Sequence, residues 1–214
     1  METLTLDFIS DVVCPWCYIG LHRLETAMRL VDRPLRFSLR FHPYLLDPTV
    51  SEAGVNGAAL LRKKYGVNTK SMFAQVEEAA RDSNLSLDLS RQKKIYPTVR
   101  AHTLLRAATT ANAQHEVARA LFETHFVEAG NINDVGTLLR VGVKAGLDGD
   151  RLRTELTNPA ALAQTLSEAN QLAESGISGV PFLLVAGRKA ISGAQSVPAL
   201  MQAMRDFDDP PFDE

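Results

Sequence analysis

Residues 11–20 read Asp11-Val12-Val13-Cys14-Pro15-Trp16-Cys17-Tyr18-Ile19-Gly20. Upstream, Leu4, Leu6 and Phe8 alternate with Thr3, Thr5 and Asp7, the period of a strand. Downstream, Cys17, Leu21, Leu24, Met28 and Val31 recur at helical spacing, with Gly20 and Ala27 on the same face. Asp11 turns the chain between the two, so both cysteines stand at a strand-to-helix junction. Pro15 falls in the first helical turn, where its missing N–H would have no intrahelical partner in any case. Asp32-Arg33-Pro34 stops the helix, and Leu35, Phe37, Leu39 and Phe41 then alternate with charged or polar neighbours as a second strand. Strand, helix and strand in succession make a βαβ unit.

That placement gives the two cysteines different tasks. Cys14 lies where the orphan N–H groups and the dipole of a helix end favour an anion. The thiolate is the reactive form of cysteine, and a free thiol is only about 3% ionised at pH 7. Cys17 belongs to the buried stripe, which leaves Cys14 at the exposed tip. An exposed attacker with a sheltered partner one turn later suits a mixed-disulfide mechanism in which Cys14 attacks and Cys17 resolves. Trp16, between them, is expected to contact substrate and tune the thiols.

From Asp47 to about Ser175 the pattern changes to helices, expected over 58–65, 70–82, 99–110, 114–128, 134–145 and 160–175. Strand signals return in Phe182–Val185 and Lys189–Ser192, joined by Ala186-Gly187-Arg188 as a hairpin, and a helix closes the chain over 196–207. Each half has too few strands for a sheet of its own. The expected architecture is therefore one α/β domain made of residues 1–46 and 176–207, an all-helical insertion over 47–175, and an acidic tail over 208–214.

Composition narrows the function. The chain has 214 residues, 45% hydrophobic and 22% charged, which is ordinary globular composition rather than that of a disordered segment. Twenty-three Lys and Arg against 25 Asp and Glu leave no basic excess for a phosphate backbone, so nucleic acid is not an expected partner. Two cysteines can neither build a disulfide scaffold nor fill a four-thiolate zinc site, and His22 lies off the helical stripe, so no metal is expected. Residues 1–10 lack a basic segment followed by an apolar run, and no stretch approaches the length that crosses a bilayer. A cytoplasmic protein without membrane partners is the expectation.

The segment from Asp11 to Gly20 closely resembles the active-site segment of the DsbA-like, FrnE-type oxidoreductases. Gly176-Ile177-Ser178-Gly179-Val180-Pro181-Phe182 resembles that family's cis-proline loop, and Phe41–Pro48 and Ile191–Gln195 fit it as well. The resemblance spans nearly the whole chain and implies a thioredoxin-like fold with a helical insertion. It implies that Cys14 is the nucleophile, Cys17 the resolving thiol and Pro181 the cis-proline, with backbone groups of Val180 open to an extended substrate. The substrate would be a protein or small molecule bearing a thiol or disulfide. No resident cofactor is required, glutathione is allowed as a co-substrate, and a homodimer through the helical block fits the resemblance. Some FrnE-type proteins carry a further cysteine pair, which this chain lacks. Thioredoxin-type members also use a buried acid on the first strand to move the resolving thiol's proton. Asp7 is the nearest counterpart, although its strand parity is opposite to that of Leu6 and Phe8.

Other candidates are weaker. His42, beside Pro43, is expected at the active-site rim together with Pro15 and Trp16. Asp11 and His102 are further candidates, and for His102 a helix or core role is favoured over one in the cleft. His115 and His125 read as helix-surface residues, and the basic runs at 62–64 and 91–94 as solvated faces. A rival enzyme reading comes from the kappa-class glutathione transferases and 2-hydroxychromene-2-carboxylate isomerases, which this chain resembles in fold. There a serine segment occupies the place of the Cys14–Cys17 segment, so the retained cysteines favour redox chemistry. A third reading is a peptide-binding or chaperone-like module without turnover.

Overall fold

The computed structural model describes residues 2–66 and 69–207. Strand β1 (Glu2–Ser10) leads through helix α1 (Pro15–Leu30) to strand β2 (Leu35–Pro43). β1 and β2 pair in parallel, with Leu6 opposite Leu39 and Phe8 opposite Phe41. A parallel pair needs a crossover connection, and α1 supplies it. The chain returns to this sheet only with β5 (Phe182–Val185) and β6 (Lys189–Ser192), both antiparallel to their neighbours, giving the order β2-β1-β5-β6. β1 is thus central, and Leu4, Leu6 and Phe8 are buried. Ala186 and Gly187 take the positive φ values that turn the hairpin. Helix α9 (Val197–Arg205) closes the fold beside α1, burying Leu200, Ala203 and Met204.

Between β2 and β5 lie helices α2 (Gly57–Tyr65), α3 (Thr69–Arg81), α4 (Val99–Ala107), α5 (Ala111–Phe126), α6 (Val135–Lys144), α7 (Gly149–Thr157) and α8 (Pro159–Glu174). The insertion also carries a small antiparallel ribbon, β3 (Val55–Asn56) with β4 (Lys94–Ile95). Helix α7 was not expected from the sequence. Only Leu152 and Leu156 are buried in it, too short a stripe to register as a period, and its start is set by Asp148, whose side chain accepts from the Arg151 N–H. The segment 208–214, read as an acidic tail, lies outside the described residues.

The insertion is fastened to the sheet at several points. Helices α4, α5 and α8 pack on β2, and the Phe41 N–H donates to Gln114 Oε1 of α5 at 2.9 Å. Tyr18 of α1 stacks on Phe122 and Phe126 of α5, with ring centroids 5.4 and 5.8 Å apart. Arg23, one of α1's long cations, donates to the Ala194 carbonyl after β6 at 2.7 Å, to Ser83 Oγ at 2.8 Å and to the Ala79 carbonyl of α3 at 3.3 Å. One guanidinium therefore joins both parts of the molecule. Among the described residues, no helix is long and apolar enough to cross a membrane.

Candidate active site

Cys14 is the residue before the first turn of α1 and Pro15 opens the helix, as the strand-to-helix reading requires. The Cys14 N–H donates to the Asp11 carbonyl at 2.9 Å, and the Cys17 N–H to the Cys14 carbonyl at 3.0 Å. Both thiols are free. Their exposure differs less than the helical stripe implied, because Cys14 is only 4% exposed against 0% for Cys17. What separates them is access: Cys14 lines a cavity and Cys17 does not. Burial pushes the Cys17 thiol well up, and a hydrogen bond to Cys14 together with the Cys14 charge pushes it further. Cys17 therefore holds its proton and offers it to Cys14.

The Val180–Pro181 bond is cis. Cys14 Sγ faces the Val180 carbonyl at 3.7 Å, across a sequence separation of 166 residues. Gly20 lets the two segments meet: a Cβ there would lie 3.0 Å from Pro181 Cγ and 3.4 Å from its Cβ. The Gly193 N–H donates to the Pro181 carbonyl at 2.8 Å, which ties this loop to the end of β6. Cys14, Cys17, Val180 and Pro181 are thus brought together, with Pro15 and Trp16 half-buried beside them.

The cavity at Cys14 holds about 390 Å³ and runs from Trp16 and Val180 into the insertion. Its walls are mainly apolar, including Leu61, Met72, Phe73 and Phe126, while Asp11, Gln92 and His125 give it a polar end. Such a mixture suits an apolar group held by a few oriented polar contacts.

Asp11 is 1% exposed; its Oδ2 accepts from the Leu46 N–H at 2.8 Å, and its Oδ1 lies 3.5 Å from the Val13 N. His102, 1% exposed, stands behind Asp11 with Nε2 3.6 Å from Asp11 Oδ1, and does not line the cavity. His125 corrects the surface reading: it is buried, lines the cavity, and packs edge-on against Phe126 at 4.6 Å. Burial pushes its pKa down to about 4, against the opposing pull of the Asp11 charge. The helical period misled because the end of α5 is covered on more than one side, with Thr124, His125 and Phe126 all buried.

Two further expectations fail. Asp7 is not placed to serve Cys17: its carboxylate takes Arg40 Nε and Nη2 at 2.8 and 2.9 Å and His42 Nε2 at 2.8 Å. Burial raises its pKa, but the Arg40 hydrogen bonds and then those of His42 more than reverse this and hold it below the ordinary carboxylate value. The opposite parity of Asp7 on β1 points it to this ion pair. His42 is correspondingly drawn to Asp7 and does not line the cavity, so it is not a rim residue. His115, also read as a surface residue, bonds Glu25 Oε1 of α1 at 2.6 Å. Asp11 acts on Cys17 in opposite senses, a hydrogen bond from its backbone pulling that thiol down and its charge, the smaller influence, pushing it up. Its place three residues before Cys14 is the sequence signal for it. Among the described residues, no group of three or more His, Cys, Asp or Glu side chains is gathered as a metal site.

The DSBA-like thioredoxin domain model matches residues 5–205. The chain belongs to that family. It is 25% identical over 209 residues to the uncharacterized protein YwbO of Bacillus subtilis (strain 168), covering 95% of this chain and 97% of the relative. The crystal structure of the probable DsbA oxidoreductase SCO1869 from Streptomyces coelicolor superimposes with a TM-score of 0.84 at 25% identity, covering 99% of this chain and 93% of that one. The cytosolic disulfide reductase DsbM of Pseudomonas aeruginosa, solved with GSH, shares the fold at 17% identity and a TM-score of 0.63, covering 95% of each chain.

Proposed function

We propose that this family member is a dithiol–disulfide oxidoreductase whose redox centre is Cys14 and Cys17. The observation that carries the reading is the division between the thiols. Cys14 opens on the cavity and faces the Val180 carbonyl, whereas Cys17 is sealed and kept protonated by burial and by Cys14. In the direction that reduces a substrate, Cys14 thiolate attacks a substrate disulfide, one substrate sulfur leaves as a thiolate, and the other remains bound to Cys14. The Cys17 sulfur then attacks Cys14, forming the Cys14–Cys17 disulfide and releasing the second substrate thiolate as the Cys17 proton is lost. Two electrons pass to the substrate. The reverse sequence oxidises a substrate dithiol, with Cys14–Cys17 as the acceptor.

The substrate is a thiol or disulfide whose neighbouring group enters the apolar cavity while its backbone or amide lies along Val180. Glutathione serves as a co-substrate in this reading, no resident cofactor is needed, and the reaction belongs in the cytoplasm. Support for glutathione is the size of the cavity and the fold shared with DsbM solved with GSH. The test is to equilibrate the protein in glutathione buffers of graded poise, alkylate the remaining thiols and weigh the products. A two-electron transition that Cys14→Ser abolishes is expected. A pair inert at every poise refutes the proposal.

A further inference from the structure

The polar end of the cavity holds a histidine to which the two-cysteine chemistry above gives no task. His125 is 2% exposed and lines the cavity, its ring set edge to face on Phe126. Gln92 fixes the tautomer. Its Oε1 accepts from the Lys94 N–H at 3.1 Å, while its Nε2 lies 3.1 Å from the His125 carbonyl and 3.2 Å from that of Gly130. Carbonyls only accept, so the amide NH2 group is the end that faces them. That same nitrogen lies 3.4 Å from His125 Nδ1. A proton on Nδ1 would set donor against donor, so the neutral ring carries its proton on Nε2. Burial keeps the ring neutral down to about pH 4. No group among the described residues meets Nε2, and the space beside the ring is the cavity. Buried donors are ordinarily paired, so this N–H stands ready for an acceptor brought from outside the chain. The charged groups of the lining are already engaged. Lys64 Nζ donates to the Leu46 carbonyl at 2.7 Å, Asp47 Oδ1 accepts from the Thr49 N–H at 2.9 Å, and Asp11 Oδ2 accepts from the Leu46 N–H at 2.8 Å. An anionic group at this end would meet the Asp11 charge, which already acts on His125, and a cation would meet the Nε2 proton.

We propose that His125 is a specificity-determining donor, and that the group entering the cavity is an uncharged apolar arm tipped with a hydrogen-bond acceptor such as a carbonyl. This rests on the dithiol–disulfide reading and names a substrate class for it, a low-molecular-weight thiol or disulfide bearing such an arm. Leu61, Met72, Phe73 and Phe126 wall the body of the arm, and the Nε2 N–H donates to its tip. In the reducing direction Cys14 thiolate bonds to the sulfur that bears the arm, and the other sulfur leaves with the electron pair of the broken S–S bond. Cys17 then forms its bond to Cys14, its proton passes to solvent, and the arm leaves as a thiolate. Two electrons move from the cysteine pair to the substrate. An arm held by its tip settles which of the two substrate sulfurs stays on Cys14.

Mixed disulfides of pyridinethiol with benzyl, phenethyl and phenylpropyl thiols test the proposal, because attack by Cys14 releases pyridinethione, read by stopped-flow absorbance. Each arm carries an acetyl, isopropyl or carboxylate tip. Each rate with the reduced full-length protein is divided by that of the same probe with free N-acetylcysteine, which removes intrinsic reactivity. For the arm length that reaches from Cys14 to His125, the acetyl tip should react about tenfold faster than the isopropyl tip, the net worth of one hydrogen bond. The carboxylate tip should be slower than the acetyl one. In His125→Leu, or in His125→Phe if the Leu variant does not fold, the ratio of acetyl to isopropyl falls to about one. The ratio is taken within one protein, so it does not depend on how much of that protein is folded. His125→Gln returns an uncharged N–H near the place of Nε2 and keeps the acetyl preference, which a merely structural histidine would not predict. A wild type that treats all tips alike overturns the acceptor site alone. So does a preference that survives in His125→Leu or is lost as fully in His125→Gln, or a carboxylate tip as fast as acetyl. Pyridinethione release undiminished in Cys14→Ser overturns the dithiol reading and the acceptor site with it.

Discussion

Acid titration of His125 is a direct measure of how tightly the insertion seals the polar end of the cavity. Its folded pKa is about 4 because burial disfavours the imidazolium. The unfolded chain takes up this proton near an ordinary value of about 6.5, which the folded protein refuses until it is more acidic. Protons therefore bind preferentially to the unfolded state between those values. The contribution is full above about pH 6.5 and falls as the pH drops toward 4, by about 2 kcal/mol between about pH 7 and about pH 5. Replacing His125 with Leu removes the titration and one long contact, Gln92 Nε2 to His125 Nδ1 at 3.4 Å, whose loss does not vary with pH above the folded pKa. Gln92 Nε2 keeps the backbone carbonyls of residue 125 at 3.1 Å and Gly130 at 3.2 Å. Urea unfolding of wild type and His125→Leu at half-unit steps from about pH 7 to about pH 5 reads the difference, in which the other histidines cancel. The variant's advantage over wild type should grow by about 2 kcal/mol across that range. Parallel curves would show that solvent reaches the ring and would refute the sealed site.

Gly20→Ala sets a helix-propensity gain of about 1 kcal/mol against overpacking of about 1–3 kcal/mol, because the new methyl meets Pro181 Cγ at 3.0 Å. A net loss of about 1 kcal/mol and altered Cys14 alkylation are expected; in Gly57→Ala, where the nearest atom is an ordinary 3.4 Å away, urea unfolding should find no such loss. A Gly20→Ala protein stabilised by the full propensity gain would mean that Pro181 yields freely. Asp7→Asn should cost about 1–2 kcal/mol near neutral pH, since one partner, Arg40, is half exposed and screened. Its folded pKa is depressed, so the stabilisation is present above the ordinary carboxylate value and disappears as pH falls through the folded one. Wild-type and Asp7→Asn denaturation midpoints should therefore converge in acid. Cys17→Ser should accumulate a mixed disulfide on Cys14 that wild type clears, seen as an added mass by intact-protein mass spectrometry; the same mass on a Cys14→Ser protein would reverse the assigned roles.

The fold was legible where its signals are local. Alternation in residues 3–8, the helical stripe from Cys17 and the hairpin around Ala186-Gly187-Arg188 each fall within one element, and β1, α1, β5 and β6 form there. The Gly179-Val180-Pro181 stretch was readable only by resemblance, because nothing near it in sequence says it will meet Cys14. Side-chain partnerships were the hidden layer. Parity on β1 shows that Asp7 opposes Leu6 and Phe8, but not that Arg40 and His42 wait on the neighbouring strand. Asp11 and His102 become neighbours only when α4 packs into the fold. Cys14 seemed an exposed tip because a helix end usually is one, and here the insertion roofs it.

The strand order has a consequence for the growing chain on the ribosome. β1 is made ahead of the insertion and sits in the middle of the finished sheet, yet its partner on one side, β5, begins at Phe182. At about 5–20 residues per second, the edge bearing Leu6, Phe8 and Ile9 waits on the order of ten to thirty seconds for its neighbour. Both cysteines are made at the start of that interval and the Val180–Pro181 loop at its close. A nascent chain thus carries a thiol pair with no loop beside Cys14, and the two become one centre only once that loop has been made. Oxidants or nascent disulfide partners met during that interval would face the pair without the loop that later stands beside it.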